Sequence, residues 1–327
     1  MYRLQNTTRN KRETNLFISQ VFIRARISQY GRYRGRFAPS PSGPLHYGSL
    51  VTAVASYLQA RSHNGQWLIR IENIDPERES KGATQSILQT LKDYGFSWDS
   101  KPILQSKQAN LHRHIALKLL NNNQAYACRC SRKDLSGSAQ YGSMGLIYPG
   151  NCAHKNLTYQ RETTLRVRVN DTHIKYIDNN FGKQQCDLPQ QSGDYVIYRA
   201  DNLPSYILAA SIDDLFEQYT EVVRGADLLA ITPRQIHLSQ LIKNRVPSFL
   251  HTPIITHENG DKLSKQTHAP ALKKHHARSG LLFALTDLGQ EPPSNLQWRP
   301  VWVIWEWAIN HWQQDKIPTL KTIPLKH

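Results

Sequence analysis

Residues 36–49 combine the side chains and turn residues of a phosphate-binding segment. They read Arg-Phe-Ala-Pro-Ser-Pro-Ser-Gly-Pro-Leu-His-Tyr-Gly-Ser. The pattern predicts a strand over 33–38, a turn forced by proline and glycine, and a helix over 49–60. Such a unit directs helix N-terminal N–H groups toward an anion. His46 lies beside those groups and Gly48 leaves room for a flat ring, so the segment indicates a nucleotide site, although such a segment alone is usually only a turn.

A short polar loop far downstream supplies two cations. Residues 262–266 read Lys-Leu-Ser-Lys-Gln, and either Lys262 or Lys265 could reach a polyphosphate. The loop is a weak signal on its own. Its weight comes from its position after two other polar strand ends, Arg-Ile-Glu-Asn-Ile-Asp at 70–75 and Val-Arg-Gly-Ala-Asp at 223–227.

Three of the four cysteines fall within 25 residues of one another. They are Cys128, Cys130 and Cys152. This clustering favours a metal in a reducing, cytoplasmic compartment over a disulfide framework, and three thiolates suit a structural zinc ion. His154 is the ordinary chemical choice for a fourth ligand. The alternative is three reduced cysteines with no metal.

The composition favours a polyanionic partner. Lysine and arginine number 41 against 25 acidic residues, which gives a net charge of +16. Such a field attracts phosphate backbones, although a basic protein without a nucleic acid partner fits the charge as well. No apolar run reaches the roughly 18–20 residues of a membrane span, so no membrane partner is expected.

Strands alternate with helices in a way that predicts a parallel α/β core in two halves. The halves are placed at 33–125 and 194–270, with residues 194–198 as the strand that resumes the core. An insertion at 126–193 separates them, residues 1–32 form a basic extension, and 271–327 form a short helical region. The five tryptophans after residue 297 are expected to pack in the core.

The ordered motifs resemble the class I aminoacyl-tRNA synthetases. His-Tyr-Gly-Ser and Lys-Leu-Ser-Lys-Gln are similar to the "HIGH" and "KMSKS" signatures of that class, and with 70–75 and 223–227 they resemble the catalytic core of glutamyl-tRNA synthetases over residues 33 to about 270. The resemblance implies a Rossmann-like parallel sheet. It also implies ATP with Mg²⁺ as a substrate.

The resemblance also implies a phosphate and ribose site around His46. The implied ATP-binding residues are Pro39, Ser40, His46, Gly48, Ser49 and Lys265, and the implied catalytic residues are His46, Lys262 and Lys265. Two residues depart from the signatures: Ser49 replaces a second histidine and Gln266 replaces a final serine. Neither change removes a required cation.

A second implied group binds L-glutamate. It comprises Arg36, Phe37, Ala38, Pro39, Ser40, Glu72, Tyr206 and Arg224. Arginine suits a carboxylate because it can bind both oxygens, and Glu72 would face the α-amino group. Asn73 stands where the family usually has an acid, which affects a secondary contact.

Three features resemble the stand-alone paralogues that glutamylate queuosine in the anticodon of tRNA(Asp). These are His-Tyr-Gly-Ser, the short C-terminus, and the pattern Cys-x-Cys…Tyr-x₃-Cys, which implies Tyr148 as a zinc ligand with Cys128, Cys130 and Cys152. The implied enzyme activates glutamate without tRNA, binds the queuosine-bearing anticodon stem-loop, and is monomeric. The alternatives are a truncated glutamyl-tRNA synthetase that charges a 3′ end and an idle RNA-binding paralogue.

Overall fold

The computed structural model describes residues 32–136, 140–242, 246–263 and 269–326. The predicted basic extension therefore lies outside the described residues except for Arg32. The strands within these ranges are β1 Arg34–Phe37, β2 Gln66–Ile71, β3 Ile103–Leu104, β4 Ala125–Cys128, β5 Gln140–Gly142, β6 Gly145–Ile147, β7 Thr164–Val167, β8 His173–Asp178, β9 Gly182–Asp187, β10 Val196–Tyr198, β11 Glu221–Gly225, β12 Ser248–Thr252, β13 Ile254–Thr256 and β14 Thr322–Pro324. The helices are α1 Tyr47–Ser62, α2 Ala83–Asp93, α3 Ala109–Asn121, α4 Arg132–Ser136, α5 Leu188–Gln191, α6 Tyr206–Phe216, α7 Thr232–Ile242, α8 Ala277–Asp287 and α9 Val301–His311.

Two short parallel sheets adjoin to form the core. One has the order β1-β2-β3, and in the other β11 pairs in parallel with β12. The N–H of Thr220 donates to the carbonyl of Arg34 at 2.9 Å, and Arg36 Nη1 donates to the carbonyl of Val223 at 3.1 Å. From the first contact to the second, the residue number rises from 34 to 36 on β1 and from 220 to 223 on the β11 side. The two strands therefore run in the same direction. The carboxyl ends of these five parallel strands thus meet at one edge, where ligands bind in open α/β sheets.

Helix α1 lies in the middle of this core. Its residues from Leu50 to Ala60 include a continuous buried stretch rich in alanine, valine and leucine, as expected for a helix that is apolar on all sides. It packs against β1, β11 and the C-terminal helices α8 and α9. The turn that begins α1 is therefore fixed in position relative to the strand ends.

The insertion contains an antiparallel sheet in the order β10-β7-β4. Strand β10 pairs antiparallel with β7, so the prediction that residues 194–198 resume the parallel core is wrong for this strand. Conversely, β8 from the predicted insertion pairs in parallel with β12 through Asp178 and Phe249. A segment as short as 194–198 has no hydrophobic periodicity that would distinguish a strand of the parallel core from a strand of the antiparallel sheet. Long-range pairing decides which sheet it joins.

The C-terminal helices cover α1, but the tryptophans divide between core and surface. Trp305 is buried beside Ile304 and Ala308, whereas Trp302 is 68% exposed and Trp298 is 76% exposed. The expectation that all five pack in the core is therefore wrong. Trp302 lies on the side of α9 away from the buried face, and Trp298 precedes the helix. Among the described residues, no helix has the length and apolar character needed to span a membrane.

Candidate active site

The predicted nucleotide segment forms the connection between β1 and α1. His46 is the N-cap residue of α1, and its carbonyl accepts the N–H of Leu50 at 3.1 Å. The first turn of this helix contains no acidic side chain, so no carboxylate of that turn neutralises the positive end of the helix dipole. Ser49 lies in the same turn and is half-buried. The local geometry can hold an anion at the start of α1.

The first turn of α1 adjoins the segment that carries the second motif. A Cβ atom at Gly48 would lie 3.3 Å from two ring atoms of His46 and 3.6 Å from the carbonyl oxygen of Leu263. The backbone of His46 also pairs with Ala271. Residues 263 and 271 thus bring the two ends of the intervening segment to this turn, whereas Lys265 itself lies outside the described residues, with Ser264 and Gln266.

Lys262 occupies the described end of that loop. Its backbone pairs antiparallel with Thr256, and its ammonium group forms an ion pair with Asp227. The side chain is about half exposed, at 48%. Lys262 therefore lies at the same edge of the core as the turn at His46.

Two buried arginines share one aspartate at the ends of β1 and β2. Arg36 Nε donates to Asp214 Oδ1 at 3.2 Å, and Arg70 Nη1 donates to the same oxygen at 2.7 Å. Arg70 Nη2 also donates to Glu72 at 3.1 Å. Burial raises the pKa of Glu72, although Arg70 and Arg36 oppose this effect. The predicted Arg36 and Glu72 therefore belong to one buried network of alternating charges.

Tyr206 faces this network from the first turn of α6. The hydroxyl of Ser205 caps the helix by accepting the N–H of Leu208 at 3.3 Å. Tyr206, Glu72 and Ser40 line one small cavity of about 80 Å³. Burial, with the nearby carboxylate of Glu72, raises the pKa of Tyr206 to about 12, so its hydroxyl remains protonated at neutral pH.

The remaining predicted residues of β1 and its loop differ in their surroundings. The carbonyl of Pro39 accepts the N–H of Glu72 at 3.0 Å, which ties the loop to the end of β2. Ala38 is half-buried beside it. The ring of Phe37 stacks on Trp67 with centroids 6.3 Å apart, so this side chain packs in the core.

Arg224 is buried at the end of β11 and is held by neutral groups. Its Nε donates to His251 Nε2 at 3.0 Å, and Nη2 donates to Thr232 Oγ1 at 2.8 Å. Nη1 is buried and has no hydrogen-bond partner among the described residues. No carboxylate within that part of the chain forms an ion pair with Arg224 at 4.0 Å or less. The site therefore contains a buried guanidinium that can still bind an anion.

A cavity larger than the one beside Tyr206 lies elsewhere in the described part of the chain. It has a volume of about 780 Å³ and lies between the β8–β9 hairpin and α7, with Tyr176, Cys186 and Pro233 in its lining. None of the predicted site residues lines it. We therefore assign the candidate site to the strand ends, where charged side chains converge, rather than to this larger cavity.

The three clustered cysteines meet in the insertion. Their sulfur atoms lie within 4.8 Å of one another, and Cys130 Sγ is 3.5 Å from Cys152 Sγ. The hydroxyl of Tyr148 is 3.4 Å from Cys128 Sγ and 3.5 Å from Cys130 Sγ. Adjacent sulfur ligands of a tetrahedral zinc ion are separated by about 3.8 Å, so this set of donors fits such an ion. His154 is exposed and is not part of the group.

Electrostatics in this cluster favour a thiolate at Cys128. Burial opposes ionisation, but contacts with Tyr148 and Arg166 outweigh it and lower the pKa of Cys128 to about 7. Arg166 Nε lies 3.4 Å from Cys128 Sγ, and its guanidinium covers the Tyr148 ring at 3.8 Å. By contrast, burial and the neighbouring sulfurs raise the pKa of Cys130 to about 11.

Several residues of the site were not predicted from the sequence. They are Arg70, Asp178, Asp214, Thr232 and His251. The aspartate pair at 213–214 stands inside an otherwise apolar helical stretch, which is a signal of buried charge that could have been used. Arg70 alternates with Glu72 on one strand, which is a similar signal.

Comparisons with known proteins show which family the chain belongs to. Residues 32–281 match the family described as class I tRNA synthetases (E and Q), catalytic domain. The glutamyl-Q tRNA(Asp) synthetase of Chromobacterium violaceum is 41% identical over 286 residues, covering 88% of this chain and 95% of that protein. The Pseudomonas aeruginosa protein of the same name is 43% identical over 293 residues, covering 89% and 97%.

The fold is also similar to that of a solved synthetase. The crystal structure of glutamate-tRNA synthetase from Elizabethkingia anophelis gives a TM-score of 0.74 at 22% identity. The similarity covers 90% of this chain and 68% of that one. At this identity the comparison shows a shared fold, namely the class I synthetase α/β architecture.

Proposed function

Because the chain belongs to the class I tRNA synthetases for glutamate and glutamine, in the branch of the glutamyl-Q tRNA(Asp) synthetases, we propose that it glutamylates queuosine in the anticodon of tRNA(Asp). The protein is a ligase that uses ATP with Mg²⁺. We further propose that glutamate activation does not require tRNA.

The proposed reaction has two steps. A carboxylate oxygen of glutamate attacks the α-phosphorus of ATP, the bond to the bridging oxygen breaks, and pyrophosphate leaves. A hydroxyl of queuosine then attacks the acyl carbon and loses its proton, an ester forms, and AMP leaves with the electron pair of the broken C–O bond. No protein nucleophile is needed, so positioning and charge stabilisation account for the proposed catalysis.

The charged groups at the strand ends suit the two ends of glutamate. Arg224 would bind the side-chain carboxylate and Glu72 the α-ammonium group, with Tyr206 beside both. Arg36 would add positive potential from the end of the neighbouring strand β1. The observation that supports this assignment most strongly is the buried Nη1 of Arg224, because a buried guanidinium hydrogen without an acceptor favours an anionic ligand.

The phosphate end would use the turn that begins α1. His46, Gly48 and Ser49 would hold ATP with Pro39 and Ser40, and the lysines of the 262–266 loop would stabilise the leaving pyrophosphate. Lys262 already lies at this edge, paired with Asp227. The role of Lys265 rests on its place in the motif.

ATP–pyrophosphate exchange tests the activation step. We expect exchange with glutamate in the absence of tRNA and little exchange with glutamine, since a neutral amide leaves the buried charge of Arg224 unpaired. Equal exchange with both amino acids would contradict the pocket assignment. No exchange with glutamate would favour an idle RNA-binding protein.

We also propose that Cys128, Cys130, Cys152 and Tyr148 hold one structural zinc ion. All four groups converge, and no further ligand position is needed for chemistry. Metal analysis of protein purified without chelator should give about one zinc per chain, and Cys130→Ser should reduce both the zinc content and the thermal midpoint. Cys186→Ser is the matched control, because Cys186 lies outside the cluster. Zinc-free, fully stable protein would refute the site.

A further inference from the structure

Arg224 is the first member of a buried chain of three side chains. Strand register places Arg224 directly opposite His251, and β12 in turn pairs with β8, which ends at Asp178. Arg224 Nε donates to His251 Nε2 at 3.0 Å, and His251 Nδ1 lies 2.5 Å from Asp178 Oδ2. His251 has no exposed surface and Asp178 is 1% exposed.

The hydrogen bonds of this chain assign the proton on the imidazole. Arginine Nε carries one hydrogen and can only donate, so His251 Nε2 must offer a lone pair. The ring proton is therefore on Nδ1, where it is donated to Asp178. Burial lowers the pKa of His251 to about 4, against the opposing effect of Asp178, so the ring is neutral at pH 7.

Asp178 is itself held in a fixed orientation. Its other oxygen, Oδ1, accepts the backbone N–H groups of Asn180 at 3.1 Å and Phe181 at 3.0 Å. Oδ2 therefore faces the ring of His251. A carboxylate in this position accepts the Nδ1 proton and cannot donate one, which excludes the other tautomer.

A second neutral contact fixes the remaining edge of the guanidinium. Thr232 Oγ1 accepts from Arg224 Nη2 at 2.8 Å and donates to the carbonyl of Leu228 at 3.1 Å. With Nε and Nη2 both held, the guanidinium plane is determined and Nη1 is left without a partner in the described part of the chain. Neither contact places a negative charge on Arg224.

We propose that Asp178 and His251 are positioning residues for ligand recognition: Asp178 fixes the Nδ1–H tautomer of His251, and His251 thereby holds Arg224 with its Nη1 group ready for the ligand carboxylate. The proposal rests on the proposed function, in which that carboxylate belongs to glutamate. A direct aspartate partner would hold Arg224 equally well but would compete with the ligand. The His251 ring is neutral and lies between the two charged groups. The negative charge of Asp178 therefore orients the ring without pairing directly with the positive charge of Arg224.

Asp178→Asn tests this proposal because it changes one atom and almost no volume. The asparagine carbonyl keeps the backbone contacts, so its NH₂ group faces His251 Nδ1 and moves the ring proton to Nε2, where it opposes the Arg224 Nε hydrogen. We expect the glutamate KM in ATP–pyrophosphate exchange to rise about 10- to 100-fold, as for loss of a hydrogen bond to a charged group. The KM for ATP should stay within about twofold, since the mutation leaves the phosphate end intact.

A spectroscopic measurement reports the tautomer without any substrate. Nitrogen-15 NMR of histidine-labelled protein distinguishes Nδ1–H from Nε2–H, and His251→Gln identifies the signal among the 14 histidines. Wild-type protein should show Nδ1–H at position 251 and Asp178→Asn should show Nε2–H. The same tautomer in both proteins would overturn the proposal.

Two replacements of His251 distinguish the effect of its hydrogen bond to Arg224 from the effect of its packing. His251→Gln offers a carbonyl acceptor to Arg224 and should keep the glutamate KM within about threefold, whereas His251→Leu should raise it about tenfold or more. Asp194→Asn is the matched control, since Asp194 accepts from Tyr126 at 2.6 Å beside the β10-β7-β4 sheet, and it should leave both KM values unchanged. If Asp178→Asn does not fold, the Gln and Leu pair decides the proposal.

The outcomes distinguish this inference from the proposed function. An unchanged glutamate KM in folded Asp178→Asn, or an equal rise in both KM values, would overturn the inference while leaving glutamate activation intact. Wild-type protein without glutamate-dependent exchange would instead contradict the proposed function. The NMR comparison would still decide the tautomer in that case.

Discussion

Arg36 and Arg224 occupy corresponding places at the ends of adjacent parallel strands, but their surroundings differ. Arg36 forms an ion pair with Asp214, and Arg70 shares that carboxylate within a cluster that also contains Glu72 and Glu217. Arg224 instead contacts a neutral imidazole and a hydroxyl. The protein compensates the first charge with a carboxylate, whereas no carboxylate of the described residues forms an ion pair with the second.

This difference separates two tasks that a pair of arginines can perform. A buried ion pair requires both partners because removal of one leaves an uncompensated charge. A buried arginine held by neutral groups costs the free protein stability and recovers it when an anion binds. The comparison therefore predicts that Arg36 mainly supports the strand ends and that Arg224 mainly supplies ligand specificity.

Arg224→Gln should give the largest effect. Loss of the uncompensated charge should reduce kcat/KM for glutamate in ATP–pyrophosphate exchange on the order of 100-fold or more, since truncating a buried charge partner costs about 2–5 kcal/mol. The thermal midpoint should stay the same or rise, because the free protein loses an unpaired charge. A less stable variant with normal glutamate kinetics would reverse the roles assigned to the two arginines.

Arg36→Gln should have a smaller effect on catalysis and a clear effect on stability. Asp214 keeps Arg70 as a partner but loses one of its two guanidinium groups, so we expect the free energy of unfolding to fall by about 2–3 kcal/mol. The glutamate KM should rise by about tenfold or less. Urea denaturation and exchange kinetics on the same preparation measure both quantities, and a loss of activity equal to that of Arg224→Gln at unchanged stability would break the comparison.

The cluster of carboxylates around Arg70 should also make the free energy of unfolding depend modestly on pH. Burial raises the pKa of Glu217 to about 7, against the opposing effect of Arg70, from an ordinary value of 4.5. Between these two pH values the folded protein binds a proton that the unfolded chain has lost, so the free energy of unfolding should decrease as pH rises. One such proton contributes at most about 1.4 kcal/mol per pH unit.

Glu217→Gln is the test of that pH dependence. In this variant the free energy of unfolding should lack the decrease between pH 5 and 7 that the Glu217 proton causes. The exchange activity should be nearly unchanged. Denaturation curves at several pH values give the slope. The same slope in both proteins would mean that Glu217 does not bind this proton.

The sequence predicted the ends of the strands better than the partners that hold their side chains. Arg36, Glu72 and Arg224 follow buried strand segments, and the carboxyl ends of parallel strands share one edge, so their convergence could be predicted. Asp178 and His251 are 73 residues apart and meet because β8 pairs with β12. No local pattern encodes that pairing. The assignment of 194–198 to the core failed for the same reason.

The cluster of Cys128, Cys130 and Cys152 shows the opposite situation. The cysteine spacing predicted three converging thiols, and the structure confirms that they lie together. The fourth ligand was left open between Tyr148, which the resemblance implies, and His154, which is the ordinary chemical choice. The structure brings the Tyr148 hydroxyl to the sulfurs. A close sequence spacing defines such a cluster, but the choice between two nearby side chains depends on their orientation.

Transfer of labelled glutamate to tRNA(Asp) with and without queuosine tests the proposed function most directly. Each tRNA should be assayed with its 3′-terminal ribose intact or oxidised, with the diol of queuosine protected during oxidation. We predict that labelling requires queuosine, survives loss of the 3′ diol, and weakens steeply with salt because phosphate contacts hold the stem-loop. Labelling of unmodified tRNA(Glu) at its 3′ end would contradict the proposed function and identify a glutamyl-tRNA synthetase that charges the 3′ end.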